Sequence, residues 1–492
     1  GLQATWQFGF AGPSADTITA VADGHVATAS LTPGTGFAYY NVGFAIANDS
    51  GGFEMANGPN GTVYYDAEGP SQCTKTFCFS PSGALGKLDA KTGATSEITL
   101  PYGMSGLLVS SDGAVWMAGG ESGAIYRLPP GQFTSSRVQT IAIPTPSSGT
   151  GGPRAFTQDG SGRVWFDDNG FGRIFSIPVT GPFVSESLTP HALPNGPPGT
   201  SQGKAHGQGM AYGKDGKIYV LDAGNGAVDQ VDPATGSTTK QVLLPQQIPL
   251  GSNDDSFPRF IVPDGSGAMY FSFIGQIFGT PQSAPPGIDT FAPPNTATSA
   301  VTLFRPSSGS QPDSLGANGP YVYYADLFGA LGLIDTSKGN ANRLIPTQPF
   351  SANLAGDVYN KTPNGISVQS DGTAWFTCYG FYALVPLCLG HTVYLAGWSA
   401  FPGPAVLVYT GAAYAQGVGI MEAPTSNSGP FQVTSEQPSV CAISDLHDHN
   451  FVITGSAAGF CVVKIADARG ASQFLTVNVR PAAAAVKPRR SF

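Results

Sequence analysis

The sequence is poor in charged residues. Only 11% of its 492 residues are Asp, Glu, Lys or Arg, against roughly 25% in an average soluble protein. The formal net charge is -9, and the one basic cluster, Lys487, Arg489 and Arg490, lies in the tail. Binding to nucleic acid or to an anionic membrane surface depends on dense positive charge. The composition therefore argues against both kinds of partner.

Long apolar runs and helical periodicity are also lacking. Residues 372–421 contain no formal charge, but Pro386, Pro402, Pro404 and several glycines divide this stretch into pieces of strand length. We therefore expect no membrane span. Glycine (66) and proline (41) are abundant, yet the hydrophobic content of 41% is sufficient for a folded core.

Cysteine is scarce, and no C-x-x-C spacing occurs, which argues against a zinc ribbon, a thioredoxin-type site or a c-type haem. The six cysteines fall into three close pairs, Cys73/Cys78, Cys378/Cys388 and Cys441/Cys461. An even number with local pairing favours three disulfides and an oxidising compartment, although the sequence alone leaves the connectivity open. A first residue of Gly1 is what a processed chain has. We expect a secreted or cell-surface protein.

One phrase recurs along most of the chain. Each copy has a glycine-containing turn, a short strand with an aromatic pair, a second turn and a second apolar strand. The central aromatics are Tyr64, Trp116, Trp165, Tyr219, Tyr270, Tyr323 and Trp375, at intervals of 49 to 54 residues. Units of this length with period-2 strands and no helical periodicity are typical of β-propeller blades. We expect the aromatics to pack between neighbouring blades.

The sequence predicts an all-β protein with a seven-bladed propeller over residues 51–401. Residues 1–50 contain Asp23-Gly24-His25-Val26-Ala27, which imitates the phrase without an aromatic. Two interpretations of this segment stay open, a degenerate eighth blade or an extension that closes the ring. Residues 402–480 hold six short strand-like runs and two cysteines, which predicts a small β-sandwich, and residues 481–492 form a tail.

The sandwich carries the phrase Asn450-Phe451-Val452-Ile453-Thr454-Gly455, followed by Ala458-Gly459-Phe460-Cys461-Val462-Val463. This pattern resembles bacterial Ig-like domains of extracellular proteins. The resemblance implies an immunoglobulin-like module that acts as a spacer or an adhesive unit.

The blade phrase resembles the streptogramin (virginiamycin B) lyase-like propellers over residues 50–390. That resemblance implies a metal-assisted lyase with histidines on Pro-His-Gly-like turns and a glutamate just after the aromatic pair, near the central channel. In this chain only His206 keeps the histidine. The positions after the aromatic pairs hold no glutamate, but Asp66, Ala118, Asp167, Leu221, Ser272, Ala325 and Thr377.

Five turn residues are the ligand-binding candidates: Tyr102, Arg154, His206, Arg259 and Asn364. The resemblance places them at one mouth of the channel as a polar ring. Two arginines and a histidine there suit an anionic or sugar-like ligand. The alternative is that they bond to neighbouring loops and satisfy strand ends.

No resident cofactor or metal is predicted. The acidic loops 167–170 and 253–256 have oxygen ligands of the kind that Ca²⁺ takes, but ordinary turn chemistry also explains them. His447-Asp448-His449 is an H-x-H pattern in a predicted loop of the sandwich, without a third ligand in view.

Two functions compete. The first is a non-enzymatic extracellular structural or adhesive protein, a homo-oligomer or polymer, with carbohydrate or another cell-surface ligand as a further partner. The second is a secreted lyase or hydrolase with a site at the channel. The low charge favours the first, because a weakly charged surface gives little protection against association.

The uncharged stretch supplies the interface candidates. We predict that His391 to Phe401 is an outer strand, apolar on both faces, and that Val393, Tyr394, Leu395 and Trp398 form its contact surface. Such a strand needs cover. Either the chain's own Ig-like domain or a neighbouring subunit provides it.

The cysteine pairing gives a first testable prediction. Under denaturing, non-reducing conditions the protein should show no free thiol, and peptide mapping should link Cys441 to Cys461, because all six cysteines are expected in local disulfides. Two or more free thiols per chain would contradict the oxidising compartment.

Overall fold

The structure, a computed structural model, consists almost entirely of β-strands. In some of these strands only the backbone is described. The described residues are 16–22, 25–31, 36–41, 54–68, 72–73, 78–79, 83–89, 94–101, 103–104, 106–119, 122–144, 152–168, 172–194, 207–222, 227–243, 257–274, 287–293, 301–304, 312–326, 330–346, 362–370, 372–379, 388–393, 398–401, 405–412, 418–422, 430–447, 450–468 and 472–481.

The N-terminal strands are β1 (Asp16–Ala22), β2 (His25–Leu31) and β3 (Gly36–Asn41). β1 and β2 form a two-stranded antiparallel sheet, whereas β3 joins a sheet formed much later in the chain. Short 3-10 turns occur at Pro59–Gly61, Ser135–Arg137, Ser185–Ser187 and Thr336–Lys338. Within the described ranges, no helix has the length and hydropathy needed to cross a membrane.

Seven four-stranded antiparallel sheets follow. The first sheet contains β4 (Met55–Asn57), β5 (Thr62–Glu68), β8 (Gly83–Asp89) and β9 (Thr95–Leu100), with the hairpin β6 (Gln72–Cys73) and β7 (Cys78–Phe79) inserted between β5 and β8. The second contains β10 (Gly106–Val109), β11 (Val115–Ala118), β12 (Ala124–Leu128) and β13 (Gln139–Ala142). The third contains β14 (Phe156–Gln158), β15 (Arg163–Asp168), β16 (Arg173–Pro178) and β17 (Thr189–Ala192). The fourth contains β18 (Gly207–Tyr212), β19 (Ile218–Asp222), β20 (Ala227–Asp232) and β21 (Ser237–Leu243).

The last three of these sheets continue the pattern. The fifth contains β22 (Phe257–Pro263), β23 (Met269–Ile274), β24 (Gly287–Phe291) and β25 (Val301–Phe304). The sixth contains β26 (Pro312–Asn318), β27 (Tyr321–Asp326), β28 (Ala330–Asp335) and β29 (Ala341–Pro346). The seventh contains β30 (Thr362–Val368), β31 (Ala374–Tyr379) and β32 (Cys388–Val393), and its fourth strand is β3.

The seven sheets form a closed circuit. Their first strands approach one another in the cyclic order β4, β10, β14, β18, β22, β26, β30 and back to β4. This arrangement is a β-propeller, which confirms the predicted all-β propeller class. Residues 1–50 had two interpretations, a degenerate eighth blade or an extension that closes the ring. β3 fits the second, since it pairs with β32 from Gly36↔Val393 to Asn41↔Cys388.

Aromatic side chains fill the spaces between sheets, as the sequence predicts. Trp116 of the second sheet is fully buried against Val164 and Phe166 of the third. Trp375 of the seventh sheet is buried in a cluster with Met55 and Tyr65 of the first. The packing therefore continues across the point where the ring closes.

The C-terminal strands form two further four-stranded sheets. The β33 sheet has the order β33 (Trp398–Phe401), β35 (Val418–Glu422), β38 (Asn450–Gly455) and β37 (Cys441–His447). The β40 sheet has the order β34 (Ala405–Tyr409), β40 (Ser472–Arg480), β39 (Gly459–Ala466) and β36 (Gln432–Ser435).

The two sheets enclose one apolar core. Val418, Phe451, Val463 and Val477 lie in this core, and the Cys441–Cys461 disulfide links β37 to β39 across it. Strand register also places Cys73 opposite Cys78 and Cys378 opposite Cys388, as the predicted pairs require. No cysteine of the described part is free.

The predicted outer strand from His391 to Phe401 is wrong. His391–Val393 ends β32, which lies between β31 and β3, whereas Trp398–Phe401 is β33 of the sandwich and pairs with β35. The physical reason is that β3 occupies the sheet edge that the sequence leaves open. Tyr394 and Leu395 lie outside the described residues, as do the side chains of Val393 and Trp398.

Candidate functional site

The first strands of three sheets begin with a β-bulge directly after a proline. Pairing shifts between Pro258 and Ile261, between Pro312 and Leu315, and between Pro363 and Ile366. In each case two residues oppose one residue of the neighbouring strand. A bulge re-aims the side chains at the strand end and often lies beside a functional site. Arg259, Asp313 and Asn364 occupy the first bulge position of the fifth, sixth and seventh sheets.

A polar side chain just after the aromatic pair satisfies the backbone of these strand ends. Asp167 Oδ1 accepts hydrogen bonds from the N–H groups of Arg154 (2.8 Å) and Ala155 (2.7 Å). The same bond joins Asp66 Oδ1 to Glu54 N (2.7 Å), Ser272 Oγ to Phe260 N (3.2 Å) and Thr377 Oγ1 to Gly365 N (2.9 Å). N–H groups at a strand end lie outside the regular ladder and need such acceptors.

In the second and fourth sheets a glycine lies at the strand end, and the residue after the aromatic pair is apolar. Ala118 and Leu221 follow their aromatic pairs and cannot accept a hydrogen bond. Gly106 and Gly209 lie opposite them, and a Cβ at either position would overlap the carbonyl oxygen of Arg154 or Arg259, respectively. The glycines therefore allow the strand ends of the third and fifth sheets to approach closely.

An ion pair joins two bulges. Arg259 Nη1 donates to Asp313 Oδ2 at 3.2 Å, with the arginine side chain 25% exposed and the aspartate side chain fully buried. Burial raises the pKa of Asp313, while the neighbouring Arg259 charge lowers it. The second oxygen, Oδ1, accepts no hydrogen bond from the described residues. Arg259 thus partly offsets the burial that favours the neutral form of this carboxyl group.

Glu54 directly precedes β4 of the first sheet, and the charges of Arg259 and Asp313 both act on its carboxyl group. Burial raises the pKa of Glu54 well above its usual range, and the charges of Asp66 and Asp313 raise it further, whereas Arg259 lowers it. A carboxyl group with a raised pKa stays protonated to a higher pH than usual. Glu54, Arg259 and Asp313 are the candidate site at the channel.

Asp167 and Asp168 sit at the corresponding end of the third sheet. Burial raises the pKa of Asp167 to about 7, although the N–H groups of Ala155 and Arg154 lower it. Asp168 is paired with Arg173, whose Nε lies 2.7 Å from Oδ2, and burial raises its pKa as well. These bonds engage Asp167 Oδ1 and Asp168 Oδ2 of the acidic loop 167–170, and its binding of Ca²⁺ stays a prediction.

The five predicted ligand-binding residues do not share one environment. Arg154 is exposed beside Asp167, Arg259 is paired with Asp313, and Asn364 is only 2% exposed. Tyr102 and His206 lie outside the described residues. Three of the five therefore occupy equivalent strand ends, and Asn364 is closed off from solvent.

Sequence reasoning missed Asp313 and Glu54. The signal for Asp313 was available, since Pro312-Asp313-Ser314 repeats the turn phrase of Pro258-Arg259-Phe260. Glu54 has no such signal, because no proline precedes it and its partners come from other sheets.

No group of three potential metal-ligating side chains occurs among the residues that the structure describes. Loop 253–256 and His449 lie outside them, so these two metal candidates stay predictions. His447 ends β37, where it pairs with Asn450.

Comparison with known proteins supports the fold. Neither a protein-family model nor a curated protein matches the sequence. A streptogramin B lyase structure has 18% identity and a TM-score of 0.52, with 73% of this chain and 98% of that chain covered. A catalytically inactive virginiamycin B lyase from Staphylococcus aureus with quinupristin has 17% identity and a TM-score of 0.52, over 73% and 100% of the two chains.

A third similar structure is the hydrazine synthase of Kuenenia stuttgartiensis, with 12% identity, a TM-score of 0.50 and coverage of 73% of this chain and 99% of that chain. Such low identities to proteins of different chemistry show a common β-propeller fold and nothing about the reaction.

Because Asp167 is buried, we predict that the protein is more stable at acidic pH than at neutral pH. Its pKa of about 7 in the folded chain exceeds the value of about 3.9 in an unfolded chain. Its contribution to stability is therefore complete below about pH 4 and is lost as the pH rises through about 7. We expect the free energy of unfolding of the wild type to fall by on the order of a few kcal/mol between pH 4 and pH 8 because of this group. In Asp167→Asn this fall should be absent, and urea unfolding at the two pH values measures it.

Asp232→Asn is the matched control. Asp232 is on the surface, and the hydrogen bond from Lys217 lowers its pKa, so its titration lies below this pH range. An Asp167→Asn chain that keeps the full pH dependence of the wild type would show that another group causes it.

Proposed function

We propose that the protein is a non-enzymatic extracellular structural or adhesive component that associates with copies of itself, with the propeller and the C-terminal sandwich as contact surfaces. The observation that carries this proposal is a concentration of exposed aromatic side chains on one face of the sandwich.

The face in question is the outer surface of the β40 sheet. Phe460 is 68% exposed, Phe474 is 57% exposed and Tyr409 is 43% exposed. They lie on β39, β40 and β34, three adjacent strands of this sheet. Among the described residues the remaining exposed large apolar side chain is Val184. An apolar patch of this kind on a soluble protein usually marks an interaction site.

Alternation along the strands produces the face. In β39, Cys461, Val463 and Ile465 are buried in the core, so Phe460, Val462 and Lys464 point outward. Register places Lys464 beside Phe474 and Phe460 beside Asn478. Val462 and Thr476 lie between the two phenylalanines on this face. Aromatic side chains among polar neighbours are typical of protein interfaces.

The disulfide supports the proposed location. Cys441 and Cys461 are fully buried and bonded, and stable structural disulfides form in oxidising compartments. A link between two sheets is also what immunoglobulin-like domains have, in agreement with the proposed identity of this sandwich.

The channel end supports a non-enzymatic role. The positions at which the lyase-like resemblance implies catalytic carboxylates hold Asp66 and Asp167, which accept backbone hydrogen bonds. Asp313 is bound to Arg259. These groups stabilise strand ends, and such bonds compete with any role in proton transfer.

A lyase or hydrolase with a site at the channel is the second candidate. It is favoured by Glu54, whose raised pKa is the property of a general acid, next to the positive charge of Arg259. Similar folds in lyase structures bound to or acting on streptogramins suggest a lactone-containing peptide as the substrate to try.

Association should be lost when the aromatic face is charged. We expect Phe460→Lys with Phe474→Lys to raise the dissociation constant at least about 30-fold, because each buried aromatic anchor is worth about 2 kcal/mol or more. Val184→Lys, which charges an exposed apolar position elsewhere, is the control. Sedimentation velocity over a range of concentrations measures the effect, and wild-type association of the double variant would contradict the proposal.

The two functions make different predictions about turnover. The structural role predicts no cleavage of streptogramin B, with or without added divalent metal, as followed by mass spectrometry of the product. Cleavage that is abolished by Glu54→Gln and kept by Asp232→Asn would establish the second candidate instead.

A further inference from the structure

The chain has an N-terminal arm, residues 1–31, that precedes the ring-closing strand β3. Its hairpin β1–β2 pairs with no third strand of the described structure, and neither strand packs extensively against another described element. A two-stranded hairpin by itself is marginally stable in water. The arm therefore needs a surface to cover it.

The composition of the arm indicates an apolar surface. Residues 1–15 contain no charged side chain. Apolar residues at every second position, Leu2, Ala4, Trp6, Phe8 and Phe10, alternate with polar or small ones. This period of two favours a strand with one strongly apolar face. In the hairpin, register places Ile18 opposite Ala29 and Ala20 opposite Ala27, so small apolar residues are paired there as well.

The aromatic face of the β40 sheet is the matching surface. It presents Phe460, Phe474 and Tyr409 to solvent. The other layer of the sandwich is the one that contacts the ring, through β35 against β29 of the sixth sheet. The aromatic face therefore lies on the side of the sandwich away from the chain's own propeller, where a second molecule has access.

The arm starts at the outer edge of the ring. β3 is the outermost strand of the seventh sheet, and residues 32–35 between Leu31 and β3 span less than about 18 Å. The hairpin therefore lies near the outer edge of the seventh sheet.

We infer that the arm of one molecule docks on the aromatic face of the sandwich of a second copy of this chain. This inference rests on the proposed self-association and names the two surfaces that make the contact. Because the two surfaces differ, the contact is heterologous, and it repeats from molecule to molecule as an open polymer or a closed ring.

The test separates the two faces of the arm. Trp6→Lys with Phe8→Lys charges the apolar positions of the alternating segment, and Gln3→Lys with Gln7→Lys adds the same charge at the polar positions. We expect the first variant to raise the dissociation constant at least about 30-fold and the second to associate like the wild type. Deletion of residues 1–31, which keeps β3, should have the effect of the first variant.

Mixing tests the pairing itself. The arm-deleted chain keeps the aromatic face, and the Phe460→Lys, Phe474→Lys chain keeps the arm. Each alone should be monomeric, and a mixture should form one-to-one dimers and nothing larger, because one arm then meets one face. Light scattering with size exclusion measures this. Contact between two aromatic faces predicts that the arm-deleted chain associates by itself, and docking of the arm on its own sandwich predicts a monomeric wild type; either result overturns the inference.

The outcomes distinguish the inference from the function on which it rests. If Trp6→Lys with Phe8→Lys associates like the wild type while Phe460→Lys with Phe474→Lys is monomeric, the protein self-associates but the arm is not the partner. If the wild type is monomeric at every concentration, both the proposed function and the inference are wrong. The point variants keep the test valid should the truncated chain fail to fold.

Discussion

Closure of the ring is the constraint on which the remaining structure depends. Each sheet buries its aromatic face only against the next sheet, so an open row of sheets would leave the first and last faces in water. Trp375 of the seventh sheet meets Met55 and Tyr65 of the first, and Asn57 Nδ2 donates to the carbonyl of Val368 across the same junction at 2.6 Å. The strand β3 then completes the seventh sheet. The even spacing of the repeats follows from this requirement, because a closed circuit tolerates little variation between its members.

The strand ends show how one backbone problem is solved with different chemistry. Asp66, Asp167, Ser272 and Thr377 accept hydrogen bonds from N–H groups at the strand ends, whereas Gly106 and Gly209 make room for the backbone of the next sheet. In both cases the residues at these strand ends hold the ring together. The proposed self-association depends instead on the outer face of the sandwich and on the N-terminal arm.

The repeat could be predicted from the sequence because its pattern is local, whereas the pairing of distant strands could not. The aromatic of each unit and its turn lie within a few residues of each other, so their period is visible in the sequence. The partner of Tyr40 is Leu389, and no local pattern in either segment indicates it. For the same reason His391–Phe401 looked like an exposed edge. At the site, Arg259 was predictable from its turn, Asp313 was overlooked although it has the same turn, and Glu54 depends on charges that only the closed ring brings near it.

The pairing of β3 with β32 also determines when the molecule can finish folding. β3 precedes its partner by about 350 residues, and the entropy of closing so long a loop has to be overcome before the pair forms. Until then the seventh sheet lacks its outer strand, and a truncated chain that stops before Cys388 can never acquire it. Ring closure therefore depends on two distant segments: a chain without β32 leaves β3 and β31 without the strand that joins them, and such unpaired strands are open to aggregation and to proteolysis.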